Sequence, residues 1–142
     1  MKVILITLLF YSANSLSKSK PMCDFFLKKT KTCVNVNFLD GISRKSDSKF
    51  ELEFLSDSKP IKLDQLPKSK LWMVMKNGHE HGSEEVSIKI NGTKYLNENV
   101  WFLMMGEWKV IVDTKYQGKN EQFTFPVCVK RKKDKSYVGK CI

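Results

Sequence analysis

The chain predicts an all-β fold: an immunoglobulin-like sandwich of two antiparallel sheets with about seven strands, following an N-terminal signal peptide. Two observations carry this. Apolar residues recur at every second position in run after run, the period of half-buried antiparallel strands. Turn dipeptides separate the runs, at Asp40-Gly41, Asn77-Gly78, Asn91-Gly92 and around Gln117-Gly118. No segment shows a helical period. Short strands with one apolar face bury that face by stacking two sheets.

In chain order, Lys2 and the apolar run Val3 to Tyr11 lead into the small residues Ala13, Ser15 and Ser17. This is the pattern of a secretory signal over residues 1–17, too short for a membrane span, which needs ~20 residues. An N-terminal segment, 18–47, carries the stripe Val34, Val36, Phe38. The next stripes are Phe50, Leu52, Phe54, then Leu71, Met73, Met75, then Val86, Ile88, Ile90. Val100, Phe102 and Met104 are read as one face of a further strand, with Trp101, Leu103 and Met105 on its other face. Trp108, Val110, Val112 and finally Phe123, Phe125, Val127, Val129 complete the set. Ser56 to Lys70 holds two prolines and no period, and reads as a crossover between sheets. Pro126 points to an edge position or a bulge. Asn91-Gly92-Thr93 matches a glycosylation sequon, but Asn-Gly is the more natural signature of a hairpin turn. Residues 131–142 form a basic C-terminal tail.

Four cysteines, Cys23, Cys33, Cys128 and Cys141, suit two disulfides in an oxidising compartment. Their grouping near the two ends favours Cys23–Cys33 with Cys128–Cys141, the competing arrangement being Cys33–Cys128. The net charge is +10, or +9 once Lys2 is removed. Only Arg44 and Arg131 are arginines, which argues against the guanidinium forks of nucleic-acid recognition. Lysine runs at 28–31 and 130–135 read as solvated ends, with weak contact to an anionic membrane surface as the sharper alternative.

Chemistry concentrates in two segments. Leu71-Trp72-Met73-Val74-Met75-Lys76-Asn77-Gly78-His79-Glu80-His81-Gly82 holds both histidines, and Trp101-Phe102-Leu103-Met104-Met105-Gly106-Glu107-Trp108 follows. Four of the six methionines fall in these stretches. Thioether and imidazole together suit copper. A site built from His79, His81 and one or two of Met75, Met104 and Met105 would hold copper(I), with Glu80 beside it. Met73 reads as core, since methionine is an ordinary filler of irregular gaps. No nucleophile–histidine–acid pattern and no glycine-rich phosphate loop is visible, and cystine sulfurs are not nucleophiles. The chain therefore reads as non-enzymatic.

These two segments, together with Tyr95 and the run on to Val110, resemble the YtkA-like domain, a family related to FixH-like proteins. The resemblance covers about residues 48–130. Its features are a methionine- and His-Gly-containing turn followed by a Met-x-Gly-x-Trp strand entry. This chain has His-Glu-His where Met-Gly-His is common, and Met105 where proline is common before the glycine. The resemblance implies an exported or tethered sandwich of a bacterial envelope, in a copper-related context. The expectation is an exported, periplasmic or secreted domain that binds copper or assists a copper protein or another envelope component. A metal-free adaptor and a small lipid-binding sandwich are the alternatives, the last requiring a deep apolar cavity between the sheets.

Overall fold

A computed structural model describes residues 23–142; the expected signal peptide lies outside them. Eleven strands occur among the described residues, in two antiparallel sheets. They are β1 (Phe25–Leu27), β2 (Thr32–Phe38), β3 (Ser48–Ser56), β4 (Lys59–Pro60), β5 (Lys68–Val74), β6 (Glu80–Gly82), β7 (Ser87–Asn91), β8 (Lys94–Val100), β9 (Gly106–Tyr116), β10 (Lys119–Val129) and β11 (Tyr137–Val138). One sheet runs β1-β2-β3-β8-β7, with β4 also on β3; the other runs β11-β10-β9-β5-β6. The two-sheet sandwich is the architecture the alternation predicts.

The apolar stripes face one another across the layers. Val34, Phe50, Leu52 and Phe54 of the first sheet are fully buried against Leu71, Trp108, Val110, Val112, Phe125 and Val127 of the second. Phe50 meets Phe125 edge-on at 6.0 Å, and Phe54 meets Phe123 at 6.3 Å, the geometry that the ring quadrupole favours. One polar bridge crosses this core. The Ser69 hydroxyl on β5 donates to Asn97 Oδ1 on β8 at 2.7 Å, and Asn97 Nδ2 donates to the Tyr95 carbonyl. Asn97 is fully buried, and these bonds satisfy it. A second tie lies at the surface. Glu121 on β10 accepts from the backbone N–H groups of Lys29 and Thr30 and from the Thr30 hydroxyl, fixing the β1–β2 turn to the other sheet.

Both local disulfides, Cys23–Cys33 and Cys128–Cys141, are formed. Pro126 behaves as a residue facing the sheet edge. Its carbonyl accepts from Gly139 beside the two-residue β11, so its missing N–H faces the same side. Asn91-Gly92-Thr93 is a turn, with Asn91 opposite Lys94 and Gly92 at φ 62°.

Two sequence expectations are corrected. The strand placed over Val100–Met105 ends at Val100; 101–105 is a loop that carries the chain from one sheet to the other, with Phe102 buried between Phe38 and Trp108. The true strand, β8, precedes it. His79-Glu80-His81, read as a turn, is mostly strand: β6 begins at Glu80, and the turn is the three residues before His79.

Candidate functional site

The β5–β6 hairpin is closed by Lys76-Asn77-Gly78. The Gly78 N–H donates to the Met75 carbonyl at 2.9 Å, and the Met75 N–H donates to the His79 carbonyl at 2.8 Å. Gly78 has φ 83°. This is a three-residue loop with a left-handed third residue, a conformation glycine adopts without a Cβ penalty. Asn77 Oδ1 accepts from the His79 N–H at 3.1 Å and braces the turn.

The loop length sets the register. Val74 stands opposite Glu80, Met73 opposite His81 and Trp72 opposite Gly82. Continuing one step into the loop, the closing hydrogen bond sets Met75 opposite His79. Because side chains alternate, Met73, Met75, His79 and His81 share one face of the hairpin. Directly opposed residues have Cβ atoms ~4.5–5.5 Å apart. Two thioether–imidazole pairs therefore stand next to each other. On the opposite face Trp72 lies over Gly82, where an added Cβ would come within 3.1 Å of the ring.

The burial of the four is graded. Met73 is 7% exposed, while Met75 and His81 are half-buried and His79 is exposed. The pair nearer the core is shielded; the pair nearer the turn faces solvent.

The second segment meets this hairpin at Gly106. Its φ is +127°, and a Cβ added there would lie 2.5 Å from the Met73 methyl. Any larger residue there would be strained at that φ and would push the Met73 methyl aside. The close approach sets Met105, 47% exposed, at a surface groove of about 610 Å³ whose walls include Met73, Met75, Gly106, Glu107 and Cys141. The Cys141 N–H donates to Glu107 Oε2 at 3.1 Å and closes one side.

Of the expected ligands, Met75 and Met105 thus share a groove. His79 and His81 do not line it, but share the hairpin face with Met75. Met104 stands apart from both groups: its side chain packs against the core and its carbonyl accepts from the Trp108 indole N–H at 2.9 Å. Met73, read as core, is core and also stands opposite His81. That pairing follows once the turn is fixed at 76–78, because hairpin loop length dictates every pair behind it. Glu107 and Cys141 carry no signal that places them here. Glu80 points with Val74 to the other face of the hairpin. Among the described residues no three His, Cys, Asp or Glu side chains converge as a metal-binding group.

Comparisons with models of protein families, with curated proteins and with solved structures each returned no match.

Proposed function

We propose that the protein is a non-enzymatic, exported copper-binding domain that holds copper(I) on the β5–β6 hairpin. The observation that carries this reading is the register that sets His79 against Met75 and His81 against Met73. Imidazole nitrogen and thioether sulfur are a donor set that favours soft copper(I), and the imidazoles also suit copper(II). Met73 and His81 would form the inner part of the site, with Met75 and His79 at its solvent side. Met105, which lines the groove with Met73 and Met75, would exchange as a further sulfur donor. Neutral donors of this kind permit transfer of the ion to a partner by ligand exchange. Two disulfides fit an oxidising compartment, in keeping with export.

The test is a copper(I) competition titration against a chromophoric chelator, using residues 18–142 with disulfides intact. The wild type should withdraw one equivalent. His79→Ala/His81→Ala should weaken affinity by at least ~100-fold, an order of magnitude per lost donor. Equal, weak uptake by both proteins would end the copper reading.

A metal-free adaptor is the second reading. Val74 (50% exposed), Leu103 (56%) and Met105 (47%) leave apolar surface beside the hairpin and the 101–105 loop, as a partner-binding face would. A lipid carrier is less well supported, because the interlayer space is filled by the rings of Phe50, Phe54, Phe102, Trp108 and Phe125.

A further inference from the structure

We propose that the loop closed by the Cys128–Cys141 disulfide is a docking surface for anionic lipid membranes. Between the two cysteines lie Lys130, Arg131, Lys132, Lys133, Lys135 and Lys140, six cations against the single carboxylate of Asp134. The whole chain carries +10, so half of its excess is concentrated there.

A basic run of this kind is ordinarily a solvated tail, and the sequence alone reads it so. The structure gives it a fixed shape. The disulfide closes it and β11 pairs it to β10. The Lys130 N–H donates to Ser136 Oγ at 2.9 Å, and a 3-10 turn at Lys133–Lys135 is held by Lys135 N–H to Lys132 O and Ser136 N–H to Lys133 O. The Tyr137 hydroxyl donates to the Lys140 carbonyl, and the Lys130 ammonium sits 5.1 Å from the Tyr137 ring centroid. The cations are therefore arranged before any ligand arrives, and binding forfeits little conformational freedom.

Among the described residues none of these cations is ion-paired. The ion pairs among the described residues are Lys49–Glu98, Lys89–Glu98 and Lys94–Glu51, all on the other sheet. The loop's net positive charge faces solvent at 131–135, every residue of which is exposed. The β2–β3 loop adjoins it: a Cβ at Gly41 would lie 3.3 Å from the Lys133 side chain, which brings alongside a segment bearing Leu39, with Asp40 and Asp47 balancing Arg44 and Lys45 in charge.

Three features favour an extended lipid surface over a small phosphate ligand. The cations are nearly all lysines, point charges suited to a diffuse negative surface, whereas a bound phosphate favours arginine forks. They are displayed on an outward-facing loop. Exposed apolar side chains flank them, Val138 (39%) within the loop, Ile142 just beyond it and Leu39 (45%) on the adjoining segment, as interfacial contact requires.

The experiment is co-sedimentation of the disulfide-intact protein, without added metal, with phosphatidylcholine vesicles and with vesicles containing about 30% phosphatidylglycerol. The protein should pellet with the anionic vesicles alone and be released as NaCl rises from about 0.05 to 0.5 M. Lys132→Ala/Lys133→Ala/Lys135→Ala should lower apparent affinity by about 30-fold or more. Lys59→Ala/Lys62→Ala/Lys119→Ala removes the same charge elsewhere and should retain most of the binding. Equal pelleting with both vesicle types, equal losses in the two triple variants, or complete displacement by inorganic phosphate at matched ionic strength would each overturn the proposal.

Discussion

Gly106 is the residue on which the two functional segments meet. Its backbone lies at φ +127° and its α-carbon faces the Met73 methyl. Alanine there would meet both a left-handed penalty and a steric overlap, costing about 2–3 kcal/mol. Urea unfolding of Gly106→Ala, alone and with Met73→Ala, separates the two: the double variant should lose less than the sum, because the overlap disappears. Glu121 makes a second prediction. Burial raises its pKa, but the hydrogen bonds from the Lys29 and Thr30 N–H groups and the Thr30 hydroxyl outweigh this and hold it below the ordinary 4.5. A carboxyl with a lowered folded-state pKa contributes stability above its unfolded pKa, and that contribution is lost as pH falls toward the folded value. Unfolding midpoints of the wild type should therefore drop as pH is lowered through and below 4.5, and those of Glu121→Gln should drop less over the same range.

At the scale of elements, the hairpin turn controls the histidines. Nothing lies within 4 Å of a Cβ added at Gly78, so Gly78→Ala would pay only for φ 83°, about 1 kcal/mol. Gly78→Asn should cost less, since asparagine tolerates that region. If the register carries copper binding, Gly78→Ala should weaken copper(I) affinity more than Gly78→Asn does, measured in the same chelator titration. The elements legible in the sequence are those with unbroken stripes: β2, β3, β5, β7, β9 and β10. β8 is not, for a physical reason. Its inward positions include Asn97, whose polarity is absorbed by Ser69 and Tyr95. Its pairing with β3 then shifts by one residue, with Asn99 at φ 61°, before Val100 turns inward. A polar core residue followed by a bulge erases period two. The loop 101–105 misled for the converse reason: Phe102 is buried as a plug from a loop, which mimics one beat of a strand. Within the site, thioether–imidazole proximity could be anticipated from residue types, but the pairing itself required the loop length, and the contributions of Glu107 and Cys141 arise from tertiary contacts that leave no local trace.

At the scale of the whole molecule, Cys23–Cys33 ties the residues before β1 to β2 and Cys128–Cys141 ties those after β11 to β10, each within the sheet it borders, so neither holds the two layers together. The interlayer aromatic core does that. Cys128→Ser/Cys141→Ser should lower stability by about 2–4 kcal/mol in denaturant titrations while leaving the far-ultraviolet β signature in place. The Ser69–Asn97 bridge has a different role. Aliphatic faces alone tolerate more than one way of nesting, since greasy contacts carry no direction. A single directional bond between β5 and β8 acts as a dowel: it permits one offset of the layers and penalises its neighbours by stranding an amide. The 101–105 loop, which carries Met105, leaves β8 in one layer and reaches β9 beside β5 in the other, so the path of Met105 past Met73 inherits that offset. Replacing Ser69 and Asn97 together with apolar residues of similar volume should leave the melting temperature near its original value and broaden the amide resonances around Gly106, the spectroscopic mark of layers free to slide.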